Sequence, residues 1–177
     1  MPKKPLVCLL DAGPVIRLHE LGLWDSVVER AELVVPGIIA RREAHFWTAP
    51  DGPRRIDLDS AKNHDAIRII DVNAAHLVAT QTLFDASIRD SVDPGELEAL
   101  TILRTWDGPR PRFCTADRLA TLALCLLGLA ETAVSLEKLL EHVGLGRTIG
   151  PKWYRESAMQ DWLKEGRARR ITGAGLA

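Results

Sequence analysis

The stretch that decides the fold is Leu6-Val7-Cys8-Leu9-Leu10-Asp11, near the start of a chain of 177 residues. An unbroken apolar run that ends at an acid is typical of a strand buried on both faces, as in a parallel sheet. Further candidate strands lie at residues 32–35, 67–72, 112–115 and 132–135, with apolar residues at helical spacing between them. Strands that alternate with helices predict an α/β domain with a mostly parallel sheet and right-handed crossovers. We therefore expect a three-layer α/β/α architecture.

The segments between these strands predict helices, with one exception. Residues 48–63 are rich in Pro, Gly, Asp and Arg and predict a loop or insertion. Helices are expected over residues 14–22, 24–30, 36–46, 74–88, 94–103, 119–129 and 136–143. We expect residues 1–146 to form this domain and residues 147–177 to form a helical C-terminal extension. The extension has an amphipathic piece around residues 153–163, in which Trp153 and Trp162 are expected to dock the helix on the domain or on a second subunit rather than to stack on bases.

Composition places the protein among ordinary globular chains. Its residues are 46% hydrophobic and 27% charged, which is enough apolar material for a core. No apolar run approaches the roughly 20 residues that cross a bilayer, and no signal-peptide pattern precedes Asp11. We expect a cytoplasmic protein that does not enter a membrane. Three cysteines without C-x-x-C spacing argue against a disulfide framework or a structural zinc site.

Charge is nearly balanced overall but unevenly distributed. The net charge of −1, from 23 basic and 24 acidic residues, argues against a protein that coats nucleic acid. Residues 147–177, however, carry seven basic side chains against three acidic ones.

Four acids occupy positions that a parallel sheet would bring close together. Asp11 and Asp117 directly follow predicted strands, and Glu43 and Glu96 lie on helices beside predicted strand ends. Buried carboxylates repel each other, so a cluster is stable mainly with a divalent cation, and oxygen ligands suit Mg²⁺ or Mn²⁺. Each acid also has an ordinary explanation, because an Asp at a strand end is often a helix N-cap and a Glu in a first turn favours the helix dipole.

The order of these acids resembles that of PIN-domain proteins, which include toxin ribonucleases of the VapC type. The segments that carry the resemblance are Leu9-Leu10-Asp11-Ala12-Gly13-Pro14-Val15-Ile16, Val34-Val35-Pro36-Gly37-Ile38-Ile39-Ala40-Arg41-Arg42-Glu43, Asp93-Pro94-Gly95-Glu96-Leu97-Glu98-Ala99-Leu100 and Cys114-Thr115-Ala116-Asp117-Arg118-Leu119-Ala120. The resemblance covers residues 6 to about 145.

The resemblance implies a Mg²⁺- or Mn²⁺-dependent endoribonuclease that hydrolyses RNA phosphodiester bonds. Asp11, Glu96 and Asp117 would hold the metal, and Glu43 would complete its shell or orient water. Toxins of this family usually form homodimers and are inhibited by a small antitoxin, so we expect both as partners besides the RNA substrate.

Two features complete the expectations for the site. Arg110 and Arg112 precede the strand that leads to Asp117, and Arg118 follows that acid, so we expect these three side chains to contact RNA phosphates. Family members usually have Thr or Ser after the first Asp, whereas Ala12 stands here. The missing hydroxyl leaves open an alternative, a catalytically weak or inactive PIN module that binds RNA or a protein partner.

Overall fold

A five-stranded parallel sheet forms the centre of the fold in the computed structural model, which describes residues 6–64, 66–146 and 148–177. The strands are β1 (Val7–Leu10), β2 (Glu32–Pro36), β3 (Phe46–Ala49), β4 (Gly52–Arg55), β5 (Ile67–Ile70), β6 (Arg112–Cys114) and β7 (Ala133–Val134). The order in the sheet is β5-β2-β1-β6-β7, and every neighbouring pair is parallel. The predicted parallel sheet and all five of its predicted strands are confirmed.

Helices surround this sheet. They are α1 (Ala12–Glu20), α2 (Trp24–Arg30), α3 (Leu58–Asn63), α4 (Ala74–Gln81), α5 (Ala86–Arg89), α6 (Pro94–Thr105), α7 (Arg118–Leu126), α8 (Leu136–His142) and α9 (Glu156–Thr172). A π-helical turn covers Ile39–Glu43, and 3₁₀ turns cover Ala130–Thr132 and Lys152–Tyr154. None of the helices within the described ranges is long and apolar enough to cross a membrane.

The two faces of the sheet carry separate halves of the core, because successive strand residues point to opposite sides. Cys8 and Leu10 of β1 pack in one apolar cluster with α1, α2 and α8. Leu9, between them, packs in the other cluster with α6 and α7. Both faces are therefore covered by helices, which confirms the expected three-layer α/β/α architecture and explains why β1 is apolar throughout.

The predicted loop at residues 48–63 is wrong. β3 and β4 pair there as an antiparallel hairpin, followed by α3. Phe46, Trp47 and Thr48 favour a strand, and Gly52 closes the turn with a positive φ of 126° that other residues rarely adopt.

Two predicted helices are shorter or divided. The helix expected over residues 36–46 is limited to residues 37–43, since Pro36 completes β2 and Phe46 begins β3. The helix expected over 74–88 is divided into α4 and α5. Asp85 begins the second piece, because its side chain accepts hydrogen bonds from the amides of Ser87 and Ile88.

The C-terminal extension packs on the rest of the chain through the long helix α9, but Trp153 precedes this helix and Trp162 is only half-buried. Met159 and Leu163 are buried against Cys125 of α7. A Cβ on Gly166 would lie 2.7 Å from the Cys125 sulfur, so the bare glycine allows the two helices to approach closely. The helix runs to Thr172, well past the predicted end at residue 163, and the domain boundary at residue 146 stays a prediction.

Candidate active site

The sheet has one point at which its strand order reverses. From β1 the chain continues through β2 to β5 on one side, then crosses to β6 and β7 on the other side of β1. Ligands of open α/β sheets bind outside the carboxyl ends of the strands at such a point. A cavity of about 270 Å³ lies there. Its lining residues are Asp11, Ala12, Gly13, Glu43, Asp93, Glu96, Ala116, Asp117, Trp153 and Tyr154.

The structure thus brings together all four of the predicted acids. They come from four separate segments, namely the end of β1, the π-helical turn, the start of α6 and the loop after β6. Asp93 is a fifth acid in the lining and was not among the predicted site residues. Among the described residues that line the cavity there is no lysine or arginine.

Asp11 is held by its own helix and by the neighbouring strand segment. Its Oδ1 accepts a hydrogen bond from the Ala12 amide at 2.7 Å, and its Oδ2 accepts one from the buried Thr115 hydroxyl at 2.6 Å. Asp11 is only 6% exposed, and burial raises the pKa of its carboxyl to about 6 even though both hydrogen bonds act in the opposite direction. The charges of Asp117 and Glu43 raise this pKa further.

Thr115 also connects Asp11 to the second strand-end acid. Its Oγ1 accepts a hydrogen bond from the Asp117 amide at 3.0 Å, while Asp117 Oδ1 caps α7 by accepting from the Ala120 amide at 2.9 Å. Asp117 keeps an exposed side chain on the cavity wall. The buried Thr115 hydroxyl thus supports the Asp11 carboxylate, whereas the side chain at position 12 offers no hydroxyl to the cavity.

Glu43 reaches the cavity because Gly95 has no side chain. Its Oε1 accepts a hydrogen bond from the Gly95 amide at 3.0 Å, and a Cβ on Gly95 would overlap the Glu43 carboxylate. Burial raises the pKa of Glu43, the Gly95 amide lowers it, and the charges of Asp93 and Glu98 raise it.

Glu96 is the most strongly perturbed acid of the cavity. It is 7% exposed, and its Oε2 accepts a hydrogen bond from the Asp93 amide at 3.2 Å. Burial, followed by the charges of Asp117 and Asp11, raises the pKa of Glu96 to about 9. The fold thus places a carboxyl where it stays protonated at neutral pH unless a positive charge joins it.

The predicted RNA-contacting arginines lie outside this cavity. Arg112 is at the amino end of β6, away from Asp117, and donates to the Glu131 carbonyl. Arg110 Nε donates to the Leu103 carbonyl at 3.0 Å.

Arg118 is next to Asp117 in sequence but pairs with α9. Its Nε lies 3.0 Å from Glu165 Oε2. The structure therefore brings none of Arg110, Arg112 and Arg118 into the lining, and their contact with RNA stays a prediction.

Glu98 is a buried acid that sequence reasoning missed. It is 3% exposed, and its carboxylate accepts hydrogen bonds from the amides of Ile38 at 2.6 Å and Val72 at 3.1 Å. It therefore secures the start of the turn that carries Glu43. The signal in the sequence was a charged residue among the apolar residues of α6. A charge that is buried with them needs hydrogen-bond partners.

The other missed residues are Trp153 and Tyr154. The expected amphipathic helix begins only at Glu156, so both aromatic residues lie in the preceding 3₁₀ turn, on the cavity wall. The available signal was an aromatic pair between two basic residues in Lys152-Trp153-Tyr154-Arg155.

The donor set suits a hard divalent cation chemically, because it consists of carboxylates whose charges have no cationic partner in the lining. As placed, no three His, Cys, Asp or Glu side chains of the described ranges are arranged so that they could hold a metal ion together. The carboxylates share a cavity without forming a finished ligand cage.

No family model matches the sequence, and no solved structure matches the fold significantly.

Proposed function

We propose that the protein is a metal-dependent endoribonuclease of the PIN-domain type. The observation that carries the proposal is the meeting of Asp11, Glu43, Glu96 and Asp117 in one cavity at the switch point of the sheet. Within this proposal RNA is the substrate, and a small antitoxin and a second copy of the chain are the expected partners.

The electrostatics of the cavity support a cation there. Burial and mutual repulsion raise the pKa values of Asp11 to about 6 and of Glu96 to about 9, a cost that a bound divalent ion would offset. Asp11, Glu96 and Asp117 would hold Mg²⁺ or Mn²⁺. When bound, such an ion polarises a phosphodiester and lowers the pKa of a coordinated water.

The chain's own groups would position the reactants. The Thr115 hydroxyl contacts the Asp11 carboxylate and the Asp117 backbone amide, so one side chain positions both acids. The Gly95 amide holds Glu43 on the cavity wall, where its carboxylate would orient a water molecule.

The test is cleavage of a fluorescently labelled single-stranded RNA in millimolar Mn²⁺ by wild type and by Asp11→Asn. The variant should lose at least about 100-fold of kcat/KM and still unfold in one cooperative transition, because the Asn oxygen can accept from the Ala12 amide while its NH2 group donates to the Thr115 hydroxyl. Asp51→Asn makes the same change on an exposed aspartate outside the cavity and should cleave like wild type. Wild-type rates in Asp11→Asn would refute the proposal.

A second candidate is a PIN-like module that binds RNA or a protein without cleaving. It is favoured by the absence, within the described part of the chain, of three side chains arranged to hold a metal. Isothermal titration with Mn²⁺ separates the two candidates. Binding that Asp11→Asn abolishes supports the nuclease, and no binding at millimolar Mn²⁺ by the folded protein supports the module.

A further inference from the structure

The wall of the acidic cavity includes an aromatic side chain that the core does not use. Trp153 is 46% exposed, in contrast with the many large apolar side chains that are fully buried. It lines the cavity beside the carboxylates, in the 3₁₀ turn Lys152–Tyr154. A large apolar surface left open at a binding cavity is a candidate contact for a ligand.

The turn is fastened on both sides of Trp153. The Tyr154 hydroxyl donates to the Gly13 carbonyl at 3.3 Å, and the guanidinium of Arg17 lies 6.0 Å from the centre of the Tyr154 ring. Downstream, the Glu156 amide donates to Glu137 Oε2 at 2.8 Å, which attaches the start of α9 to α8. Tyr154 therefore serves as the anchor, and Trp153 is held in place with an open face.

Basic side chains flank this aromatic pair. Lys152 and Arg155 are both exposed. Sites for single-stranded nucleic acid combine positive charges that follow the phosphates with aromatic rings on which unpaired bases stack. The turn offers both within four residues, beside a cavity whose carboxylates could reach a phosphate only through a cation.

We propose that the turn Lys152–Tyr154, together with Arg155, binds single-stranded RNA, with one unpaired base stacked on Trp153 while Lys152 and Arg155 contact adjacent phosphates. The inference rests on the proposed function, because it places the base next to a phosphate at the carboxylates. We had expected this segment only to dock the helix. The inference gives it a further role, the selection of unpaired over paired RNA.

The experiment compares wild type with Trp153→Ala, Trp153→Phe and Phe46→Ala in the full chain. Phe46 is the matched control, because it is 58% exposed and lies outside the cavity. Binding is measured by fluorescence anisotropy in Ca²⁺ with a single-stranded RNA, the same strand with abasic sites, and its duplex. KM and kcat for the single strand are then measured in Mn²⁺.

Trp153→Ala should weaken single-strand binding about 5- to 150-fold and raise KM more than it lowers kcat. Trp153→Phe should recover most of the affinity, Phe46→Ala should match wild type, and wild type should prefer the intact strand to the abasic one. Three results would each overturn the inference. They are wild-type affinity in Trp153→Ala, equal affinity of wild type for the intact and abasic strands, and no binding of RNA by wild type.

The two proposals fail separately. Cleavage that survives in Trp153→Ala with unchanged KM overturns the stacking role and leaves the nuclease in place. If binding depends on Trp153 but wild type does not cleave RNA, the stacking role is supported and the proposed nuclease activity is refuted.

Discussion

Replacing Glu96 with Gln should stabilise the metal-free protein at neutral and alkaline pH while it removes activity. Glu96 is 7% exposed and close enough to Asp11 and Asp117 for their charges to raise its pKa. Gln fills the same space, carries no charge and keeps an oxygen that can accept the hydrogen bond from the Asp93 amide. The variant therefore removes an electrostatic cost and leaves the packing and the start of α6 in place.

The size of the effect follows from the pKa of Glu96, which is raised from 4.5 to about 9. Between these values the folded protein binds a proton that the unfolded chain has released, so the free energy of unfolding falls as pH rises. Each pH unit above 4.5 costs about 1.4 kcal/mol, which gives about 4 kcal/mol at about pH 7.5 and about 1 kcal/mol at about pH 5. Gln escapes this cost, so the advantage of Glu96→Gln should grow with pH.

The assay is urea unfolding in EDTA of wild type, Glu96→Gln and the control Glu29→Gln, an exposed residue of α2. Glu96→Gln should exceed wild type by up to about 4 kcal/mol at about pH 7.5 and by much less at about pH 5, whereas Glu29→Gln should follow wild type at both. Saturating Mn²⁺ should stabilise wild type and reduce the difference. A variant less stable than wild type at the higher pH, or a difference that does not widen with pH, would refute the reasoning.

Two further predictions concern glycines. Gly95→Ala should displace the Glu43 carboxylate and lower kcat/KM about 10- to 100-fold. The control Gly146→Ala should have no effect, because nothing lies within 4 Å of the added Cβ. Normal activity in Gly95→Ala would count against a role for Glu43. Gly166→Ala should separate α9 from Cys125 and cost about 1–3 kcal/mol in thermal unfolding, despite the better helix propensity of Ala; an unchanged melting temperature would contradict the close packing seen there.

The layer architecture and the acids of the cavity could be predicted because both depend on local patterns. An apolar run such as residues 6–10 identifies a strand buried on both faces, and the acids that follow strands share an edge once the strands are parallel. The same reasoning placed Asp11 and Asp117 together, although they are more than 100 residues apart in the chain.

The features that could not be predicted depend on where an element ends or on a single long-range contact. The prolines and charges of residues 48–63 concealed a hairpin whose strands are only four residues each. Trp153 was expected in the same helix as Trp162, yet the helix starts after Trp153, which lines the cavity instead. Glu98 binds two amides that are 60 and 26 residues away, which no local pattern encodes.

The Thr115 hydroxyl, which contacts the first aspartate, is another long-range contact that bears on function. Ala12 weakened the case for catalysis because the hydroxyl of the Thr or Ser that family members have there can help to hold metal or phosphate. In the fold, Thr115 donates to Asp11 Oδ2 at 2.6 Å from 104 positions along the chain and also accepts from the Asp117 amide. A hydroxyl so placed couples the two strand-end acids. Because Thr115 is buried, it supports these acids without supplying the contact to metal or phosphate that position 12 lacks, and the arrangement of the carboxylates stays the deciding question.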